Sequence, residues 1–251
     1  QYTGARWITA DTPTELREFE NAYPMRMAHD AADTLALVGV FGLARIFISL
    51  AAMDVGTAFG SLGGRREMLV GFLAEPALLM VIFTMALISQ STSVATIVET
   101  LAHRELVIYP SLAFAGIAFT FVSLAENARV PVDNPATHLE LTMIHEAMIL
   151  EYSGRHLALI EWAASLKLYA YSCLGLALFF PWGIAERDNF LAMVAAVPLL
   201  LIKLGIGGFL LAAIETVNAK MRIFRAPEFL GTAFLLAVLG LLVRLLLEAR
   251  A

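Results

Sequence analysis

The sequence predicts an all-α protein, a polytopic bundle of transmembrane helices. Hydrophobic residues make up 59% of its 251 residues, charged residues make up 16%, and the mean hydropathy is +0.76. An ordinary soluble domain is about 45–50% apolar and about 25% charged. A membrane-spanning helix needs about 20 predominantly apolar residues. Six windows meet that requirement: Thr34–Met53, Met68–Ser89, Leu106–Ala125, Leu157–Trp182, Phe190–Ile214 and Phe229–Leu247.

The polar residues 1–33 precede the predicted transmembrane domain, residues 34–251. A weak capping pattern, Thr12-Pro13-Thr14-Glu15, predicts one short surface helix in this N-terminal segment. The first two windows are joined by Asp54–Glu67, whose four glycines predict a loop. The single cysteine, Cys173, lies in an apolar window, so the sequence offers neither a disulfide framework nor a cysteine cluster for metal.

Positive charge in the loops predicts how the chain is oriented. Counted from the first window, alternate loops carry seven Lys and Arg residues, and the opposite loops carry three. Because cytoplasmic loops are enriched in Lys and Arg, we expect the larger set on the cytoplasmic side. The larger set consists of Arg65, Arg66, Arg129, Arg155, Lys220, Arg222 and Arg225.

The net charge of −5 gives no basic surface for nucleic acid.

Several predicted spans contain ionisable residues. Such a residue costs about 2.5–3.5 kcal/mol at the helix centre and usually faces a bundle interior or a wet cavity. Glu75 is followed by Pro76, which frees a backbone carbonyl and favours a local polar site. Lys203 needs a counter-charge, from Glu161 or Glu75, and both a structural ion pair and a proton relay remain open for it. The other three are Arg45 and the two that can snorkel to the interface, Lys167 and Arg244.

The region from Glu126 to Glu161 is a polar block between apolar windows, with six carboxylates, two arginines and three histidines. Pro131 and Pro135 bracket a turn. A helix is predicted from Thr137 to about Tyr152, with Gly154 as its stop signal. On that helix His138 and His145 share one face, and Glu140 and Glu151 share another.

Three interpretations of this block can be compared. A zinc site is excluded, because Ile149 occupies the second histidine position of HExxH and His138–Glu140 has no PCxxC partner. A structural cluster that fixes the loop against a neighbour remains open. So does a chain of carboxylates for proton movement, since burial brings carboxyl groups toward proton exchange near neutral pH.

The stretch ENARVPVDNPATHLELTMIHEAMILEYSGRHLALIEWA resembles the signature of the membrane subunit of formate hydrogenlyase and hydrogenase-4, the group 4 nickel–iron hydrogenases. That family is homologous to complex I subunit 1. The segment Ser61–Glu67, followed by Glu75-Pro76, resembles the family's short cytoplasmic loop and the next helix. The complex I block reads more like ARxPFDLxEAESELVxGFNVEYS, and His138 and His145 here favour the hydrogenase branch. The family normally has further N-terminal helices.

The resemblance implies a non-catalytic membrane subunit of an oxidoreductase complex in a bacterial or archaeal cytoplasmic membrane. Such a subunit anchors a soluble arm and links electron transfer to proton or sodium movement. The expected partners are the hydrogenase large and small subunits, an iron–sulfur subunit and antiporter-like membrane subunits. Iron–sulfur clusters and the nickel–iron centre are expected in those partners, none is expected in this chain, and quinone remains open as a ligand.

The resemblance also implies which residues carry the coupling. We expect proton coupling in a quinone-like cavity from Glu75, Glu126, Arg129, Asp133, Glu140, Glu146, Glu151 and Glu161. Charge pairing or partner contact is expected from Arg65, Lys203, His138 and His145. Two other functions remain open: the quinone-chamber subunit of a complex I-like NADH:quinone oxidoreductase, and an independent secondary transporter.

Overall fold

The computed structural model describes residues 34–103, 110–134, 143–183 and 190–248, and within them the secondary structure is helical. The predicted N-terminal segment 1–33 lies outside these ranges. The helices, in chain order, are α1 (Thr34–Asp54), α2 (Ala58–Ser89), α3 (Val94–His103), α4 (Pro110–Glu126), α5 (His145–Ile149), α6 (Gly154–Phe179), α7 (Phe190–Val217) and α8 (Ala226–Glu248), with a 3₁₀ turn at Ile223–Arg225 before α8.

Five of these helices are long and apolar enough to cross a membrane, and α4 is a shorter apolar helix. Each of the six predicted windows therefore corresponds to a helix, and the predicted all-α bundle is confirmed. The long α2 lies at the centre of the bundle, where α1, α4 and α8 pack on it. Its apolar residues are spread around the helix, which suits an element covered on several sides. In contrast, α6 and α7 lie at the edge.

The loop prediction for Asp54–Glu67 is wrong, because α2 already begins at Ala58. The glycines here allow close helix packing. A Cβ on Gly60 would lie 2.7 Å from the carbonyl oxygen of Ala52, and one on Gly64 would lie 2.9 Å from that of Ser49. Small residues let two helix backbones approach each other in this way in membranes. As a result, Glu67 lies on a buried helix face.

The polar block differs from its prediction at both helix boundaries. Its predicted helix starts at Thr137, outside the described ranges, and of the described part from residue 143 to Tyr152 only the single turn α5 is helical. Gly154 does not stop that helix; it begins α6, with φ of +55°. The short helix α3, which apolar windows of full span length did not predict, also lies in the bundle.

The positively charged loops meet at one end of the bundle, which we call the polar end. Arg66 donates a hydrogen bond of 2.9 Å to the carbonyl of Met143, so the start of α2 lies against the polar block. The amide of Met221 donates to the carbonyl of Pro131 at 2.9 Å, which attaches the loop between α7 and α8. The three loops of the predicted cytoplasmic set therefore share one face of the molecule.

Candidate functional site

A buried cluster of charged side chains lies between α1, α2, α4 and α6, and Arg45 is at its centre. The Arg45 side chain is 3% exposed, and its Nε donates to Oε1 of Glu67 at 3.1 Å. Its Nη2 is in direct ion-pair contact with Glu126, which is also 3% exposed. One guanidinium thus contacts both carboxylates, and this planar group with five donors suits paired carboxylates.

Glu75 is the loosest member of this cluster. Its Oε1 lies 4.0 Å from Nη1 of Arg45, and its side chain is 39% exposed. That distance is longer than a hydrogen bond. Nη1 itself is buried and has no hydrogen-bond acceptor within the described part of the chain. Glu75 therefore faces a donor that it does not engage, and it is the most accessible carboxylate of the three.

Lys167 brings a second cation to the cluster from α6. Its ammonium group lies 3.1 Å from Oε2 of Glu126 and donates to the backbone carbonyl of Glu126 at 2.7 Å. The expectation that Lys167 snorkels to the interface is therefore wrong. Its Nζ also lies 5.9 Å from the ring centroid of Tyr171. Among the described residues, the cluster thus holds two cations and three carboxylates. With all five groups charged, its net charge is −1.

Two glycines make room for the cluster between the helices. A Cβ on Gly71 would overlap the guanidinium of Arg45, and a Cβ on Gly42 would lie 2.8 Å from Oε1 of Glu75. Neither position tolerates a side chain without moving a member of the cluster. At Gly39, one turn before Gly42 on α1, an added Cβ would have no atom within 4 Å. The absence of side chains at Gly42 and Gly71 is therefore a local requirement of the charges.

The end of α4 aims Glu126 into the bundle and turns the chain outward immediately after it. Ala128 has φ of +50°, its amide bonds to the carbonyl of Ala125 at 3.3 Å, and the amide of Arg129 bonds to that of Leu124 at 2.9 Å. This is the hydrogen-bond pattern of a Schellman motif. Arg129 then reaches α7, where its Nη1 lies 3.4 Å from Oε1 of Glu215.

Asp133 fastens the polar block to the rest of the polar end. Its Oδ2 accepts from the amides of Ile144 and His145 at 3.2 and 2.9 Å. Its Oδ1 accepts from the amide of Asn134 at 2.9 Å and lies 3.0 Å from the ammonium of Lys220. Because both oxygens are occupied and the residue is 2% exposed, these contacts are those of an anchor.

Lys203 lies away from this cluster. Its ammonium donates to the carbonyl of Phe180 at 2.8 Å and to that of Trp182, and it lies 4.1 Å from the Trp182 ring centroid. It therefore caps the carboxyl end of α6. Neither Glu161 nor Glu75, the predicted counter-charges, is among its contacts in the described ranges.

The remaining predicted residues lie toward solvent or lipid, or outside the described ranges. Arg65, Glu151 and Glu161 are exposed, and Glu146 and His145 are partly exposed. His138 and Glu140 fall in the undescribed segment 135–142. Of the predicted coupling residues that the structure describes, the cluster thus brings together only Glu75 and Glu126.

Sequence reasoning did not place Glu67, Arg45, Lys167, Glu215 or Lys220 among the site residues. The cost of an ionisable residue in a span did point to Arg45 and Lys167. Glu67 carried no such signal, because it fell in the stretch that was predicted to be a loop. Glu215 and Lys220 lie at the end of an apolar window, where charge is ordinary.

Comparison with known proteins shows which family and which proteins this chain is similar to. A family model described as NADH dehydrogenase matches residues 11–246. Formate hydrogenlyase subunit 4 of Escherichia coli (strain K12) is 29% identical over 208 residues, which are 83% of this chain and 67% of that protein. Hydrogenase-4 component C of the same organism is 30% identical over 211 residues, 83% of this chain and 65% of that protein.

A third relative is an NADH-quinone oxidoreductase subunit of Rhodopseudomonas palustris (strain ATCC BAA-98 / CGA009). It is 29% identical over 153 residues, which are 59% of this chain and 46% of that protein. The chain spans about two thirds of the length of the two hydrogenase relatives and about half of the third.

Proposed function

The chain belongs to the NADH dehydrogenase family, and from that premise we propose that it is the membrane anchor and energy-coupling subunit of a hydrogenase or formate hydrogenlyase type complex. Similarity to two hydrogenase-complex subunits extends over 83% of the chain, against 59% for the quinone oxidoreductase subunit. This difference in coverage favours the hydrogenase branch. We place the subunit in the cytoplasmic membrane of a bacterium or archaeon, with the polar end facing the cytoplasm.

The observation that supports coupling is the buried cluster of two cations and three carboxylates. Charges of this kind are costly inside a bilayer and commonly mark ion or proton routes. With Arg45 and Lys167 charged, the cluster is neutral when one of its three carboxyl groups carries a proton. Glu75 is the group we assign to that proton, because it is the most exposed of the three and the farthest from Arg45.

The polar end supplies the connection to the partners. Glu126 is both the last residue of α4 and the first residue of the polar block. Movement of the polar end would therefore shift Glu126 and, through their ion pair, the guanidinium of Arg45, which changes the distance between Arg45 and Glu75. In this mechanism, a redox event in the soluble arm displaces the polar end, and Glu75 binds or releases a proton in response.

The redox centres are assigned to partner subunits. The chain contains one cysteine, and the described residues hold no group of three side chains that could bind a metal ion. Nickel–iron and iron–sulfur centres need cysteine ligands in numbers that this chain lacks. We therefore propose hydrogenase large and small subunits, an iron–sulfur subunit and antiporter-like membrane subunits as partners.

The test is Glu75→Gln in the assembled complex. In membrane vesicles, hydrogen turnover should persist at more than half of its original rate, while the associated proton translocation falls at least fivefold, because the amide cannot hold the exchanged proton. The matched control is Glu228→Gln, which changes the same group at an exposed position on α8. Equal proton translocation in both variants, measured with a pH-sensitive dye, would contradict the proposal.

The proteins that copurify with the chain distinguish the hydrogenase assignment from the quinone oxidoreductase alternative. A tagged chain that brings down a nickel–iron large subunit supports the hydrogenase assignment. A chain that instead brings down an NADH-oxidising arm, with activity blocked by quinone-site inhibitors, supports the complex I-like alternative. Ion flux through the purified chain alone in liposomes would support an independent transporter and overturn both.

A further inference from the structure

A cavity of about 780 Å³ separates α4 from α6 and α7. It lies on the side of α4 and α6 that faces α7, and it adjoins the charge cluster at Tyr171, whose ring lies 5.9 Å from Nζ of Lys167. Its wall runs along α4 from Leu112 to Leu124 and along α7 from Leu204 to Ile214. The ten-residue separation of Leu204 and Ile214 corresponds to about 15 Å at about 1.5 Å per residue. The cavity is therefore an elongated channel parallel to the helices.

The wall of the channel is apolar along this length. Four described residues on it carry hydroxyl groups: Thr120, Ser123, Tyr171 and Ser172. Two of these bond to their own helices, since Thr120 donates to the carbonyl of Gly116 at 2.9 Å and Ser172 donates to that of Leu168 at 2.8 Å. On α7 the wall includes Gly207 and Gly208, where nothing lies within 4 Å of an added Cβ. The channel thus offers width and apolar surface, with few groups to orient a polar ligand.

Charge is confined to one end. Arg129 is the only charged residue among the described residues that line the channel. Its side chain is 29% exposed, and its Nη1 contacts Glu215 at 3.4 Å. A guanidinium has five N–H donors, so this contact does not use them all within the described part of the chain. Beyond α7, at the same polar end, Arg222 and Arg225 are exposed. A ligand that fits this channel has a long apolar part and an anionic head.

The length of the channel and the charge at its end favour a lipid. The length of about 15 Å is about half of the roughly 30 Å hydrocarbon core, which is the depth of one leaflet. Flexible acyl chains can follow an apolar channel of this length and volume. The cationic side chains at its polar end favour an anionic lipid over an apolar helix.

We propose that this channel holds the acyl chains of one anionic phospholipid from the leaflet at the polar end, with its phosphate against Arg129. Arginine presents a fork of donors that matches phosphate oxygens. The lipid fills the gap between α4 and the weakly packed pair of α6 and α7, and so joins the edge of the bundle to its centre. This inference is independent of the hydrogenase assignment.

The test measures phospholipid that stays bound to the purified full-length chain, together with any partners that copurify. After extensive detergent washing, lipid is extracted and quantified by mass spectrometry, and the chain is then titrated with phosphatidylglycerol, phosphatidylcholine or ubiquinone in native mass spectrometry. We expect about one phosphatidylglycerol per chain. Gly208→Phe should weaken its binding at least tenfold, since the ring occupies the channel. Arg129→Gln should remove the preference for phosphatidylglycerol over phosphatidylcholine.

Gly205→Phe is the matched control. Gly205 is on the same helix, also has nothing within 4 Å of an added Cβ, and does not line the channel. If Gly208→Phe fails to fold, Gly207→Leu provides the same comparison with a smaller side chain. The proposal is overturned by equal lipid retention in the channel and control variants, by bound ubiquinone in place of phospholipid, or by a partner helix found in the channel.

Discussion

Arg45→Met removes the cation at the centre of the buried cluster while preserving much of its apolar volume. Arg45 contacts Glu67 at 3.1 Å, Glu75 at 4.0 Å and Glu126 more closely. The consequences for these carboxylates differ. Glu126 keeps Lys167 at 3.1 Å, whereas Glu67 has no other cation within 4.0 Å in the described ranges. Loss of Arg45 therefore leaves Glu67, with a side chain 10% exposed, as the unpaired buried charge.

The expected cost follows from that asymmetry. Removing one partner of a buried ion pair typically costs 3–5 kcal/mol, because an uncompensated charge remains. We expect Arg45→Met to lower the free energy of unfolding by about 3–5 kcal/mol. Adding Glu67→Gln removes the stranded charge and should restore about 2 kcal/mol of that loss. Adding Glu126→Gln instead should restore less, because its carboxylate is already paired with Lys167.

The measurement is reversible unfolding of the purified chain in mixed micelles, with sodium dodecyl sulfate as denaturant and circular dichroism as the signal. The double variants with Glu67→Gln and Glu126→Gln complete two double-mutant cycles. Arg65→Met is the control, because this arginine is exposed on the same helix as Glu67 and should change stability by no more than about 0.5 kcal/mol. Greater rescue by Glu126→Gln than by Glu67→Gln, or a loss below about 1 kcal/mol in Arg45→Met, would refute the reasoning.

Two further changes test the surroundings of the cluster. Gly71→Ala overlaps Arg45 and should destabilise the chain by about 1–3 kcal/mol through overpacking, whereas Gly39→Ala, in open space, should be neutral or stabilising in the same unfolding assay. Asp133→Ala removes the acceptor of two block amides and the partner of Lys220; at about 1.5–3 kcal/mol for a hydrogen bond to a charged group, hydrogen–deuterium exchange in the polar block should accelerate about 10- to 100-fold. Unchanged exchange there would show that Asp133 is not an anchor.

Hydropathy alone was sufficient to predict the bundle, because lipid requires long apolar helices whose backbone groups bond internally. The cost of charge in lipid also pointed to Arg45, Glu75 and Lys167 before any contact was known. Their pairing could not be predicted from one sequence. Arg45 and Glu126 are 81 positions apart, and which helix faces meet depends on packing, which hydropathy does not encode.

The missed residue Glu67 shows a different limit. Glycines usually mark turns, so the stretch around Gly60 and Gly64 was assigned to a loop. In a bilayer, glycine also lets helices approach closely, and close approach to α1 is what occurs here, since a Cβ added at Gly60 or Gly64 would lie 2.7 or 2.9 Å from a backbone carbonyl oxygen of α1. Local sequence does not distinguish the two uses, since the difference lies in the neighbouring helix.

The arrangement of Glu126 explains how small movements at the polar end can matter in the proposed mechanism. Glu126 touches both cations of the cluster and is followed at once by the turn that leads to Arg129 and Asp133. At an effective dielectric constant of about 20, lengthening a charge separation from about 3 to about 4 Å weakens the attraction by about 1.4 kcal/mol. That is a factor of about ten in an equilibrium constant. In the proposed mechanism, a displacement of about 1 Å in the last turn of α4 that also moves Arg45 relative to Glu75 changes the proton occupancy of Glu75, without any residue of the cluster leaving its helix.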